Sequence, residues 1–329
     1  MKGILEQARS LYSLDKYTFE EVPGHEGGRN IIYICTLGYN KYVLRISELE
    51  DRTEIEYRAE TEFVHFLAAN NAPVADVVAS RHGRLVEIVE DGGKLFVLSL
   101  FAYAKGKLLC ENGYRYKAGA PIEELFFNTG KTLGVIHRLS KTYEPKHKRI
   151  EYADKYNREY IDKLIPDTYS ALKEAMYKRF DEFAKLPKDR DSYGLVHFDF
   201  SDGNYHINFM TGDITVFDFD NCMNCWYMFD LANLWTHGVG WCHGINNPQK
   251  RLDYMDHYFE TVLAGYMKET KVSDKLLAKL PLFIDMVLIE NIVDEFECCA
   301  REGEELDYED IENAAECLIN SIPYAGVGK

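Results

Sequence analysis

Residues 197–204 read HFDFSDGN and residues 214–221 read ITVFDFDN. Both lie in an interval of two or three short strand-like runs, roughly 194–219, between long helical stretches. This pattern limits the fold more than any other part of the chain. Carboxylates are costly to bury unless something binds them, so acids beside short apolar strands must meet a ligand, water or a turn at the strand ends. Three readings are open at this level. The cluster is a phosphate-and-metal site, a structural turn, or part of a generally acidic surface.

The rest of the sequence supplies the frame. A short mixed-charge helix at the N-terminus is followed by NIIYICTL and KYVLRIS, runs rich in β-branched and aromatic residues and broken at Gly38-Tyr39-Asn40. From Thr53 to Asn70 the period becomes helical, with Tyr57, Phe63, Phe66 and Leu67 on one face, and Asn70-Asn71-Ala72-Pro73 stops it. Strand-like runs follow at 74–79, 84–90 and 94–101. Residues 121–190 and about 228–321 are helical in character. A chain of 329 residues exceeds the usual single domain. The expected class is therefore α+β, with a β-rich N-lobe at 1–101 and a mainly helical C-lobe at 102–329.

Charge and cysteine content exclude several function classes. The net charge is −16, which argues against broad electrostatic binding to nucleic acid. No run is apolar for the roughly 18 residues that a membrane helix needs. The eight cysteines, in a long chain that starts without an apolar leader, read as reduced thiols and point to a cytoplasmic protein. Cys222 and Cys225 form a C-x-x-C, with Cys242 and His243 about 17 residues later. Zinc binding stays open on that spacing beside the plainer reading of packed or surface thiols.

Phosphoryl transfer from ATP needs few protein groups. A carboxylate must orient the acceptor hydroxyl and take its proton, and oxygen ligands must hold the magnesium that bridges the phosphates. A carboxylate and an asparagine on one loop, with another carboxylate at the end of the next strand, meet that need. With these residues in view, HFDFSDGN, VFDFDN and FDLANLW resemble the aminoglycoside phosphotransferase and choline kinase superfamily, whose fold is that of the eukaryotic protein kinases. The resemblance implies Asp199 as catalytic base, Asn204 and Asp218 as magnesium ligands, His197 as support behind the loop, and Asp230 as its buttress. Phe198 and Ser201 depart from the family pattern, which often has a small or basic residue and a histidine there.

The same resemblance places a nucleotide-covering loop at Gly24–Asn30, with Gly27 and Gly28 letting backbone N–H groups approach phosphates. It places the phosphate-binding cation at Arg45, its ion-pair partner at Glu60 with Glu62 as alternate, and the adenine edge at Ala102, Tyr103 and Ala104. His137 reads as a packing histidine. The implied function is ATP- and Mg2+-dependent phosphorylation of a hydroxyl on an aminoglycoside, amino alcohol, sugar or related metabolite. The other class kept open is a kinase-like binding or structural protein without transfer. Asp202 and Asp220 are candidate carboxylates for an acceptor amine, and Trp226, Trp235 and Trp241 are candidate cation–π partners, set against the reading of all three as core. Asn221, His237 and His243 lie near the same expected cleft.

Overall fold

The computed structural model describes residues 1–24, 29–50 and 52–326. Gly27 and Gly28 lie outside the described residues. Contacts divide the chain into two compact units. The first holds Met1–Lys117, Thr142–Arg149 and Asn204–Asp220, and the second holds Ala118–Lys141, Ile150–Gly203 and Asn221–Lys329. The first unit thus runs past residue 101 and takes back two later segments. Backbone pairing joins 107 and 204–220 to it, since Lys107 bridges Ile207 and Val74 bridges Val216. Segment 142–149 is held by side chains, with Tyr143 against Phe63 and Phe66 and His147 on Glu62.

The first unit begins with α1 (Lys2–Tyr12), β1 (Thr18–Glu21), β2 (Asn30–Leu37), β3 (Asn40–Glu48), α2 (Glu54–Ala69), β4 (Val77–Val78), β5 (Glu87–Asp91) and β6 (Lys94–Ala102). The sheet is antiparallel in the order β1-β2-β3-β6-β4, with β5 also paired to β6. Leu37 faces Asn40 across a two-residue loop, and Gly38 there has φ 60. A glycine at the first central position of such a loop suits the strand twist. One sheet face packs on α1 through Ile4, Ala8 and Tyr12 against Leu44, Ile46, Leu98 and Leu100. Thr53 and Glu56 form a reciprocal capping box at the start of α2.

Along the chain, α3 (Ile122–Ser140), α4 (Tyr152–Lys155), α5 (Arg158–Leu164), α6 (Ser170–Phe183) and β7 (Tyr193–Val196) belong to the second unit. The hairpin of β8 (Tyr205–Ile207) and β9 (Ile214–Val216) returns to the first. β10 (Met223–Trp226), α7 (Tyr227–His237), α8 (Pro248–Tyr266), α9 (Asp274–Leu277), α10 (Leu280–Glu302) and α11 (Tyr308–Asn320) complete the second. α3 and α8 approach closely because they meet at glycines. A Cβ on Gly130 would stand 1.9 Å from the Val262 carbonyl oxygen, and one on Gly265 would stand 1.9 Å from that of Phe127. Among the described residues no helix is long and apolar enough to cross a membrane.

Candidate active site

The loop that carries Asp199 leaves β7 and is fixed by an aspartate from α7. The backbone N–H groups of His197 and Phe198 each donate to the Asp230 carboxylate at 2.9 Å. Asp230 is fully buried and also lies 3.0 Å from His137 Nε2. Burial pushes the His137 pKa down despite its Asp230 partner. A neutral ring donates from Nε2 to Asp230 and accepts at Nδ1 from the Tyr266 hydroxyl, 3.0 Å away. Tyr266 reaches it because α3 and α8 lie so close. The polar chain Tyr266–His137–Asp230 therefore begins in helix packing and ends on the loop.

Phe198 has φ 73, a left-handed conformation that costs a non-glycine residue on the order of 1–3 kcal/mol. Two hydrogen bonds to Asp230 hold the turn, together with a ring stack on Phe229 at 4.1 Å and 3°. The buried His197 ring packs edge-on to Phe200. The turn buries Phe198 and Phe200 and leaves Asp199 between them only partly buried.

α10 brings a further feature to the second unit. Glu290, Asp294 and Glu297 recur at i, i+4 and i+7 and share one helix face. Glu297 is satisfied by Lys155 at 2.9 Å and by the Tyr160 hydroxyl. Glu290 is largely buried and has neither an ion pair nor a hydrogen bond within the described residues. Burial, then Asp294, Asp199 and Glu297, push its pKa up to about 8, with Lys155 pulling the other way. The buried Tyr152 hydroxyl is also without a hydrogen-bond partner, and Glu290 is among the groups that raise its pKa.

The first unit carries the cation and the metal-binding candidates. Arg45 on β3 donates two hydrogen bonds to Glu60 on α2, at 2.8 and 2.7 Å. Both side chains are buried. Burial alone would depress the Arg45 pKa, but Glu60, then Asp220 and Asp218, more than reverse this and keep it charged. Glu62 pairs instead with His147. Across the β8–β9 hairpin Tyr205 faces Val216, and Phe217 N–H donates to the Asn204 carbonyl at 2.9 Å. Asn204 and Asp218 therefore stand together at the open end of that hairpin. Asp218 is exposed with φ 62, Phe219 is buried against Phe63 of α2, and Asp220 is buried.

Two oxygen donors fit a magnesium ion that arrives on a nucleotide, because such an ion takes one or two carboxylates and completes its shell with phosphates and water. The described residues contain no group of three or more His, Cys, Asp or Glu side chains suited to a metal, and this mode of binding needs none. At the expected adenine edge, Ala102 N–H already donates to Asp76 O, and Ala104 O accepts from His206. Tyr103 lies against His206, with Lys41 over its ring. Adenine contact through the Ala102 N–H is corrected accordingly, because that N–H is engaged within the unit.

Three of the proposed acceptor contacts are likewise corrected by their packing. Asp220 is held by Asn30 at 3.0 Å and by Arg52 at 3.4 Å. Trp226 is buried and donates to Pro187 O, and Trp235 is buried and donates to Asp256. Trp241 is partly exposed, edge-on to Phe126. Asp202 is partly buried and acts electrostatically on His237. Cys222 and Cys225 are buried thiols outside any disulfide, with Cys225 Sγ 4.0 Å from Met286 Sδ. Packed thiols, rather than a zinc pair, account for the C-x-x-C.

The sequence profile of the phosphotransferase enzyme family, the APH family, matches residues 23–266. The chain belongs to that family. As an APH-family member it is a phosphotransferase that acts on a hydroxyl group. An amicoumacin kinase of Bacillus subtilis (strain 168) is 28% identical over 288 residues, 85% of this chain and 80% of the relative. Solved structures share the protein-kinase-like fold. An amicoumacin kinase in complex with AMP-PNP, Ca2+ and Ami matches with TM-score 0.82 at 23% identity, over 99% of this chain and 95% of the other. A microcompartment-associated aminopropanol kinase matches with TM-score 0.71 at 18% identity, over 98% and 95%.

Proposed function

We propose that this phosphotransferase uses ATP and Mg2+ to phosphorylate a hydroxyl on an amine-bearing small molecule. The Asp230-braced loop that holds Asp199 carries this reading. Asp199 accepts the proton of the acceptor hydroxyl as its oxygen bonds to the γ-phosphorus. The bond from that phosphorus to the β–γ bridging oxygen breaks, and ADP leaves. Arg45, oriented by Glu60, holds phosphate oxygens bidentately. Asn204 and Asp218 hold the cation, which neutralises charge on the transferred group. Backbone at Tyr103 and Ala104 meets adenine, and Gly27 and Gly28 cover the phosphates. His197 and Asp230 support the loop.

The amine is argued from Glu290. A carboxylate set among acids without a paired base favours an ammonium group in its vicinity. The 28% identical amicoumacin kinase makes amicoumacin the first acceptor to try. Asp202 and Trp241 remain proposed acceptor contacts.

Turnover tests the reading. Purified protein with Mg-ATP is incubated with amicoumacin, aminoglycosides, amino alcohols and neutral sugars, and products are read by mass spectrometry. At least one amine-bearing acceptor should gain a phosphoryl group. Asp199→Asn should lower kcat by roughly 10²–10⁴-fold. No product from any acceptor, with background ATP hydrolysis unchanged in Asp199→Asn, rejects it in favour of a kinase-like binding protein.

A further inference from the structure

Four arginines converge within the first unit, although the chain as a whole is strongly acidic. Arg45 is matched by Glu60. The other three gather on Asp220. Arg52 Nη1 donates to the Asp220 carbonyl at 2.5 Å and lies 3.4 Å from its carboxylate. Arg149 Nη2 donates to the same carbonyl, while its Nη1 donates to Glu56 O at 3.2 Å. Arg29 stands 4.0 Å from the carboxylate. Asn30 donates to that carboxylate and accepts from Ser47 Oγ at 2.6 Å. Asp220 thus gathers groups from β2, the α2 approach and the segment 142–149.

A surface aspartate needs no such set. Burying guanidinium groups beside one another is unfavourable, and Arg52 shows it: burial, then the Arg149 and Arg29 charges, lower its pKa against the pull of Asp220. What the cluster holds still is a carbonyl two residues after Asp218. That interval contains the left-handed backbone of Asp218 and the Phe219 ring wedged on α2. A turn of this kind stays in place only when its surroundings over-determine it. The β8–β9 ladder fixes one side of Asp218 through the Phe217–Asn204 bond. The other side is fixed at Asp220.

We propose that Arg52 and Arg149 are positioning residues of the metal-binding turn, a two-armed brace on the Asp220 carbonyl that aims the Asp218 carboxylate. Each guanidinium acts through backbone and touches no substrate. Arg149 ties the brace to the first turn of α2, whose later turn carries Glu60. The brace thereby joins the phosphate cation and the metal turn in one rigid body. The proposal rests on Asp218 being the metal ligand, so Asp218→Ala serves as its control.

The experiment compares wild type with Arg52→Ala, Arg149→Ala, Arg149→Lys, the double alanine variant and Asp218→Ala. Four quantities are measured: Mn2+ affinity in the presence of AMP-PNP by electron paramagnetic resonance, ATP affinity without metal by calorimetry, melting temperature, and acceptor KM. Supports of a metal ligand are typically worth 10–100-fold in metal affinity. Arg52→Ala and Arg149→Ala should each weaken Mn2+ by about tenfold or more. Metal-free ATP affinity and acceptor KM should stay within about twofold. The double variant should lose less than the product of the singles, because both arms act on one oxygen. Arg149→Lys keeps a charge and one donor nitrogen in place of the guanidinium fork, so partial retention is expected even if Arg149→Ala fails to fold. Unchanged Mn2+ affinity in the arginine variants, with affinity lost in Asp218→Ala, overturns the brace alone. Unchanged affinity in Asp218→Ala overturns the metal assignment beneath it. A fall in Mn2+ affinity, metal-free ATP affinity and melting temperature together marks the arginines as merely structural and overturns the proposal.

Discussion

Glu290→Gln gives the sharpest quantitative test of the second unit. The wild-type carboxylate is pushed from 4.5 to about 8 by burial, with Asp294 and Asp199 adding to the effect. A raised acid keeps its proton in the folded state after the unfolded chain has lost its own. The group is neutral in both states below pH 4.5, so it then contributes nothing through ionisation. As pH climbs from 4.5 to about 8, folding stability falls by about 1.4 kcal/mol per pH step and then levels off. Between pH 5.5 and 8.5 this amounts to an upper figure of about 3 kcal/mol. A body of 150–250 residues shifts by about 2–4 °C per kcal/mol, so the melting gap between variant and wild type should open by roughly 5–10 °C. Scanning calorimetry of both proteins across that range reads it directly. The variant should gain on wild type as pH rises. A melting difference that is flat with pH refutes the burial argument. The same logic links to the acceptor. Glu290 holds its proton at pH 7, so pairing with an ammonium group should release close to one proton. Calorimetry in two buffers of different ionisation enthalpy would show it, and equal heats would sink the ammonium role.

Glu60→Gln leaves the Arg45 guanidinium buried without its counter-charge. The expected loss is about 3–5 kcal/mol in urea unfolding together with a raised KM for ATP, and a loss under about 1 kcal/mol with unchanged KM contradicts the pair's role. Gly130→Ala forces a methyl group against the Val262 carbonyl. Overpacking should cost about 1–3 kcal/mol and lower kcat by loosening Tyr266 from His137; full activity at reduced stability would uncouple helix packing from the loop.

Much of this protein is readable along the chain because its signals are local. β-branched and aromatic runs broken by turns, then a helical period, mark the sheet and the helices, and α2 occupies Glu54–Ala69 within the expected span 53–70. HFDFSDGN and VFDFDN announce Asn204 and Asp218, since a hairpin between them sets neighbours by short-range pairing. The Arg45–Glu60 pair spans fifteen residues of strand, turn and helix, and the helix exit was enough to choose Glu60 over Glu62. The acceptor side was read less well. Tryptophans and acids look alike in sequence whether buried or offered to a ligand. Only packing shows that Trp226 and Trp235 are core and that Asp220 is held by its own unit.

The sequence by itself determined the fold class, the family, the loop that carries Asp199 and the hairpin that carries Asn204 and Asp218. Beyond the Arg45–Glu60 pair, tertiary structure alone decided which charges are paired. Arg149 reaches Asp220 from 71 residues away, and Glu290 feels Asp199 across a still longer separation. Charge–charge energies depend on distance through space and on burial. Neither quantity is written in the spacing of residues along a chain.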